Sequence, residues 1–277
     1  MTERGTPPAR AGERVYRHRL PTRVWHWLNA VTVVVMLMSG LMIFNAHPRL
    51  YWGKAGANAD RAWLQIGSTG TAGFVEVGGL RLPATGVLGL WKAPGGEVQR
   101  RAFPWWATIP SSYSLADARR WHLFFAWALA IPGLAYWLWS FLFGHARRDL
   151  LPTRRQLAPR HIWQDVKDHA RLRFPTGPDA AHYNILQKLS YAGIVFAGLP
   201  LLVLTGLAMS PAMDAAWPWL LDLFGGRQSA RSVHFLVAML MLGFILVHLA
   251  MVLLAGPVNE VRSMITGWFR LPGRRGR

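Results

Sequence analysis

The stretch that decides the fold is RSVHFLVAMLMLGFILVHLAMVLLAG, residues 231–256. Beyond Arg231 and Ser232 it is apolar apart from two histidines, His234 and His248. Working outward, four windows lack Asp, Glu, Lys and Arg altogether: Val24–Asn45, Trp121–Ala146, Leu189–Ala212 and Ser232–Asn259. Each exceeds the ~20 residues that a helix needs to cross ~30 Å of hydrocarbon. The expectation is an all-α integral membrane protein, a four-helix transmembrane bundle. The first window is longer than the ~7–15-residue core of a signal peptide and lacks a small-residue cleavage site, so it reads as a span. The chain has no Cys, which excludes disulfides, zinc–thiolate sites and iron–sulfur ligation by its own residues.

A net charge of +18 invites a nucleic-acid reading, but the placement of the charge excludes it. Six Arg lie within residues 1–23, eight Lys or Arg between Arg147 and Arg173, and five Arg within 257–277. Short basic segments stay in the cytoplasm. Both termini are therefore expected on the cytoplasmic side of the membrane, as is the loop between helices 2 and 3. The segment between helices 1 and 2 is also basic, but it is longer than the ~60 residues over which this rule counts.

The expected organisation is a basic tail over 1–20, helix 1 over 21–45 and a large periplasmic loop over 46–113. Helix 2 covers 114–146 and a cytoplasmic loop 147–181. Helix 3 covers 182–211, a periplasmic loop 212–228, helix 4 229–258 and a cytoplasmic tail 259–277. In the large loop, FVEVGGLRL alternates around Gly78–Gly79 and predicts a β-hairpin. SLAD at Ser114–Asp117 offers a capping box for helix 2. Pro132 and Pro200 fall inside helices 2 and 3 and should kink them. MSGLM at 38–42 and LTGLA at 204–208 form a faint echo, too short for a repeat.

His234 and His248 are fourteen residues apart. At 100° per residue they fall about 40° short of four full turns, nearly on one face and roughly 21 Å apart along the axis. Polar residues in a membrane helix are costly and face the interior. One reading is that each His merely hydrogen-bonds a neighbouring helix. The charge-derived topology adds more: it pairs His122 with His234 on the outer side and His26 with His248 on the inner side. Two imidazoles facing across a bundle can clamp one iron, and haem b is the natural guest. Zinc fits less well, because two His fill half a tetrahedral shell. The expectation is two haem b, each held by two His without covalent attachment.

RVWH at 23–26, RRWH at 119–122 and RSVH at 231–234 each place an Arg one helical turn before a His, on its water side. Arg23, Arg119 and Arg231 are thus candidate partners of the haem propionates, or simple snorkelling anchors. Gly40 and Gly133 share a face with His26 and His122 respectively, at the depth of the opposite haem, where a missing Cβ would admit a porphyrin. Close helix packing is the competing reason for glycine there. The remaining histidines, His18, His47, His145, His161, His169 and His182, fall in loops or at helix ends and read as mostly solvated. His182 is placed to meet a quinone head group.

RVWHWLNA at 23–30, RRWHLFFAW at 119–127, HYNILQKLSY at 182–191 and the two His of helix 4 resemble blocks of the bacterial di-haem cytochrome b membrane subunits. Those include the cytochrome b subunits of nickel–iron hydrogenase, formate dehydrogenase and thiosulfate reductase, and the cytochrome b-561 type. The resemblance covers roughly residues 15–48 and 115–270. It implies His26, His122, His234 and His248 as haem ligands and a conduit between ubiquinone or menaquinone and a partner redox enzyme. The segment 46–113 departs from a minimal member and suggests a periplasmic molybdenum-cofactor oxidoreductase as partner. Two other functions fit the same residues: a stand-alone oxidoreductase passing electrons from superoxide or another small reductant to quinone, and a His-based proton or metal transporter. The scarcity of membrane carboxylates weighs against the transporter.

Overall fold

A computed structural model describes residues 12–171 and 183–272. In chain order the elements are β1 (Arg14–Tyr16), α1 (Leu20–Phe44), β2 (Arg49–Leu50), β3 (Leu64–Ser68), β4 (Gly73–Val77), β5 (Leu80–Pro83), β6 (Trp91–Lys92) and β7 (Val98–Gln99). Then come α2 (Leu115–Leu142), α3 (Pro159–Ala170), α4 (Ile185–Gly193), α5 (Leu199–Met209), α6 (Pro211–Ala216), α7 (Pro218–Leu223), α8 (Arg227–Ala255), α9 (Pro257–Thr266) and β8 (Trp268–Arg270). Four helical spans are long and apolar enough to cross a membrane: Leu20–Phe44, Leu115–Leu142, Ile185–Met209 and Arg227–Ala255. Their large apolar side chains, among them Leu123, Phe124, Trp127, Leu240 and Leu253, are exposed, as lipid-facing surfaces must be.

The chain divides into two compact units. The first comprises Met1–Leu28, Pro132–Ala197 and Gly243–Arg277. The described end of the basic segment expected over 1–20 contains a strand, and residues 1–11 lie outside the described residues. β1 pairs antiparallel with β8, Val15 opposite Phe269, and the Arg17 amide donates to Gly267 O at 2.8 Å. Gly267 permits this turn because its φ is 90° and a Cβ there would stand 2.5 Å from the Tyr16 ring. Arg17 lies over the faces of Tyr183 and Phe269 and 3.6 Å from Glu260. Helix 4 was expected to reach residue 258 but stops at Ala255. Gly256 adopts φ 113° and Pro257 starts α9 in a new direction. Helix 2 likewise ends at Leu142, before a π turn over Ala146–Leu150.

The third span begins with a capping box at Asn184 and Gln187, not at residue 182. It passes through a π turn, Ile194–Gly198, ahead of Pro200. In that register the partner of Val195 O would be the amide of Pro200, which has no hydrogen. The Trp137 indole supplies it instead, donating to Val195 O at 3.0 Å.

The second unit comprises Asn29–Ile131 and Gly198–Leu242. The expected hairpin is present: β4 and β5 pair with Val77 opposite Leu80, and Gly78 and Gly79 both take positive φ. It belongs to a four-stranded antiparallel sheet ordered β2–β3–β4–β5. Phe44, Leu50, Ile66 and Ala102 form its core, with Phe103 and Phe235 against them. Ser114 caps α2, accepting from the Asp117 amide at 3.3 Å. The sheet is stitched to the first turns of α8. Ser229 Oγ accepts from the Gly53 amide at 2.7 Å, and Trp63 Nε1 donates to Ser232 Oγ at 2.9 Å. Ser232 Oγ in turn donates to Tyr51 O at 2.6 Å. Gly226 lies so close to Gly53 that a Cβ would meet its carbonyl oxygen at 2.7 Å.

Candidate functional site

In the second unit, α2 presents His122 and α8 presents His234, with ring centroids 6.2 Å apart. Both side chains are held from behind in the same way. Ser39 on α1 donates its hydroxyl hydrogen to Val35 O at 2.7 Å, and its oxygen stands 3.1 Å from His122 Nδ1. Thr205 on α5 donates to Leu201 O at 2.6 Å, and its oxygen stands 2.9 Å from His234 Nδ1. A hydroxyl whose single hydrogen is committed to a carbonyl can only accept from the imidazole. Each Nδ1 therefore carries the hydrogen, and each Nε2 keeps a free lone pair, the form in which histidine binds a metal.

The residue after each hydroxyl is glycine. A Cβ on Gly40 would lie 3.3 Å from His122 Cε1, and one on Gly206 3.6 Å from His234 Cε1. The SGL and TGL of the sequence echo are thus two copies of one device: a hydroxyl that orients a ring and a glycine that lets the ring approach. Gly40 thus lies against the imidazole of His122. At Gly133 in the first unit, a Cβ would meet nothing within 4 Å.

In the first unit, His26 of α1 faces His248 of α8 with centroids 6.3 Å apart. Phe244 stacks on His248 at 5.7 Å, and Trp27 meets His26 edge-on at 5.1 Å. No hydroxyl supports His26: among the described residues its buried Nδ1 has no hydrogen-bond partner.

The haem expectation can be tested on these separations. A metal–imidazole bond is about 2.0–2.1 Å and the ring centre lies about 1.1 Å behind the nitrogen, so two imidazoles on opposite sides of one metal stand about 6.2–6.4 Å apart. Both pairs meet that distance. Among the described residues no group of three or more His, Cys, Asp or Glu converges on a point, so the donor set at each place is two imidazoles. Two imidazole donors at each place would suit an iron whose remaining ligands come from a porphyrin.

The arginines are placed less simply. Arg23 donates to Ile265 O at 2.6 Å. Arg231 donates to His47 O and Arg49 O and lies over the Phe44 ring, helping to fasten the sheet to α8. Arg119 is exposed at the start of α2. His182 lies outside the described residues. Two histidines read as solvated are in fact buried, His18 at 4% and His145 at 6% exposure. The spacing of His145 and Asp149, one helical turn apart, was the available signal for the second. His161 is exposed, and His169 is half-buried with Nδ1 at 2.8 Å from Asp165 O.

Four membrane spans that bring imidazoles together two by two define the class as multi-pass membrane cytochromes of the b type, which carry electrons. The comparison of families agrees: the chain matches the prokaryotic cytochrome b561 family over residues 17–267 and belongs to it. Among its relatives is the putative protein-methionine-sulfoxide reductase subunit YedZ1 of Azospira oryzae, 28% identical over 84% of this chain and 87% of that one. Others are probable Ni/Fe-hydrogenase B-type cytochrome subunits. That of Azotobacter vinelandii is 22% identical over 95% of this chain and 92% of its own length. That of Cupriavidus necator is 21% identical over 91% and 86%. No solved structure matches the chain.

Proposed function

We propose that the chain is a di-haem b cytochrome of the bacterial inner membrane, with both termini cytoplasmic, that passes electrons between ubiquinone or menaquinone and a partner redox enzyme. The observation that carries it is the pair of imidazole separations, 6.3 Å and 6.2 Å. His26 and His248 would hold the inner haem, His122 and His234 the outer one. Haem b bound between two histidines supplies one-electron chemistry with no position open to oxygen or substrate. Ser39 and Thr205 fix the tautomers of the outer ligands, and Gly40 and Gly206 set how closely those rings sit. Arg119 offers exposed donors to a propionate, while Arg23 and Arg231 would share theirs with main-chain oxygens. Gly133 leaves room beside the inner site, and His182 is the residue proposed to meet the quinone.

The partner would dock on the outer, sheet-bearing segment 46–113. A periplasmic molybdenum-cofactor oxidoreductase is our choice. The relative named as a reductase subunit supports a reductase over a hydrogenase, being the more similar at 28% identity. The pyridine haemochrome assay with protein quantitation tests the cofactor load. It should approach two haem b per chain, and a ratio of one or zero would sink the reading.

A further inference from the structure

The first unit contains a polar cavity lined by Arg17, His18, Thr22, His145, Tyr183 and Lys188, with Asp149 at its rim. Three of the cations on its wall are already engaged: Arg17 with Glu260 and two aromatic faces, Lys188 with Gln156 Oε1 at 3.3 Å, Arg148 with Phe143 O; Arg19 also lines it. A line of hydrogen bonds leads inward. The π turn after His145 folds Asp149 back, so that Oδ2 lies 2.7 Å from His145 Nδ1. The Asp149 side chain is 42% exposed and that of His145 7% exposed. On its other side, His145 Nε2 is 3.4 Å from Thr22 Oγ1. Thr22 also acts on the Tyr136 hydroxyl. Thr22 is four residues before His26 and on the same helical face, and Tyr136 stacks at 4.1 Å on Trp25, the neighbour of His26.

We propose that His145, held by Asp149, is a proton acceptor coupled to electron gain at the His26–His248 site. The inference rests on the reading of that pair as a haem site. The balance is one electron and one proton. With Asp149 ionised, Nδ1–H donates to the carboxylate and Nε2 is the base. When an electron arrives nearby, a proton enters from the polar cavity onto Nε2, and His145 ends as the imidazolium, donating from Nδ1 to Asp149 and from Nε2 to Thr22. When the electron leaves, the proton returns by the same path. Only N–H and O–H bonds change.

The surroundings set the pH range. Burial holds His145 below the ordinary imidazole value, Asp149 pulls it up, and Arg19 and Arg148 push it down. Across the cavity, burial and the Arg17 charge hold His18 at about 3, and burial raises Tyr183, so both stay neutral near pH 7. Lys188 and Arg17 on the cavity wall, and the Tyr136 ring edge-on at 6.3 Å, are the other groups near His145. Proton uptake therefore falls at and below the ordinary value of about 6.5.

The test is redox potentiometry on the full chain carrying both haems, from about pH 4.5 to 8 around that value. In the unaltered protein one of the two midpoints should fall with rising pH below neutrality and level off above it. Its limiting slope is about 59 mV per tenfold change in proton activity for one electron. His145→Gln keeps a hydrogen-bonding side chain but cannot titrate, and should remove the slope. Asp149→Asn, at the half-exposed rim, should move the sloping range to lower pH, and it carries the test if the His145 variant does not assemble. A slope that survives His145→Gln, an unmoved range in Asp149→Asn, or a pH-independent potential in the unaltered protein overturns the proposal. A haem content below two overturns the haem reading instead.

Discussion

Replacing Thr205 probes the orientation of His234 at one atom. Thr205 is fully buried, and its oxygen is the partner of His234 Nδ1 at 2.9 Å. Thr205→Val keeps the shape and leaves a buried N–H without an acceptor, at a cost of about 1–3 kcal/mol. When the site is empty, the ring can shed part of that cost by changing tautomer. When Nε2 is bound to iron it cannot, so most of the penalty falls on haem binding. The expected loss is about 10–100-fold in affinity, which matches the usual effect of removing a ligand's hydrogen-bond partner. The lost hydrogen bond also makes the imidazole a weaker donor to the oxidised metal. The midpoint of the outer haem should rise, by about 59 mV for each tenfold difference between the two oxidation states. Thr205→Ser restores the hydroxyl and should restore both properties. The assays are haem retention during detergent washing and redox potentiometry. Unchanged retention and potential in Thr205→Val, or a Thr205→Ser variant as impaired as Thr205→Val, would refute the tautomer argument.

Three further outcomes follow from the same geometry. Gly40→Ala puts a Cβ 3.3 Å from His122 and should cost about 1–3 kcal/mol in haem-site stability, whereas Gly206→Ala, at 3.6 Å, should be better tolerated; haem content after mild heating compares them. His122→Ala and His234→Ala should damage the same haem, and His26→Ala and His248→Ala the other; redox titrations in which His26 and His234 share a haem would show the pairing to be wrong. His18 is held at about 3 against an ordinary 6.5, so between those values the unfolded chain binds the extra proton. Stability is therefore full above about 6.5 and falls as pH drops toward 3. His18→Asn should flatten that acid limb in thermal unfolding followed across pH.

The spans were legible because a membrane demands ~20 apolar residues regardless of partners. The Gly78–Gly79 hairpin was legible because its turn chemistry is local. Helical phase together with charge placement led to the pairs His26 with His248 and His122 with His234, the partners that stand 6.3 Å and 6.2 Å apart in the structure. The supporting hydroxyls were not legible. A serine or threonine in an apolar helix normally bonds back to its own backbone, and Ser39 and Thr205 do that as well as serving histidines 83 and 29 residues away. The burial of His145 depends on Thr22, 123 residues distant, and the β1–β8 clasp joins segments near opposite ends of the chain. Composition gave no cue to either. Where the third span begins and the fourth ends was decided by Asn184 and Gly256, single residues whose effect on a boundary exceeds that of hydropathy.

Because α8 supplies one histidine to each pair, neither pair exists until the last span has left the ribosome. Chains halted after α5 would carry His26 and His122 without an opposing imidazole, and could enter a membrane yet hold no iron between two histidines. Cofactor loading is thereby placed after synthesis of α8, and β8 closes on β1 only once α9 has followed. Assembly acquires an order from the position of two side chains on a single helix: insertion first, haem second.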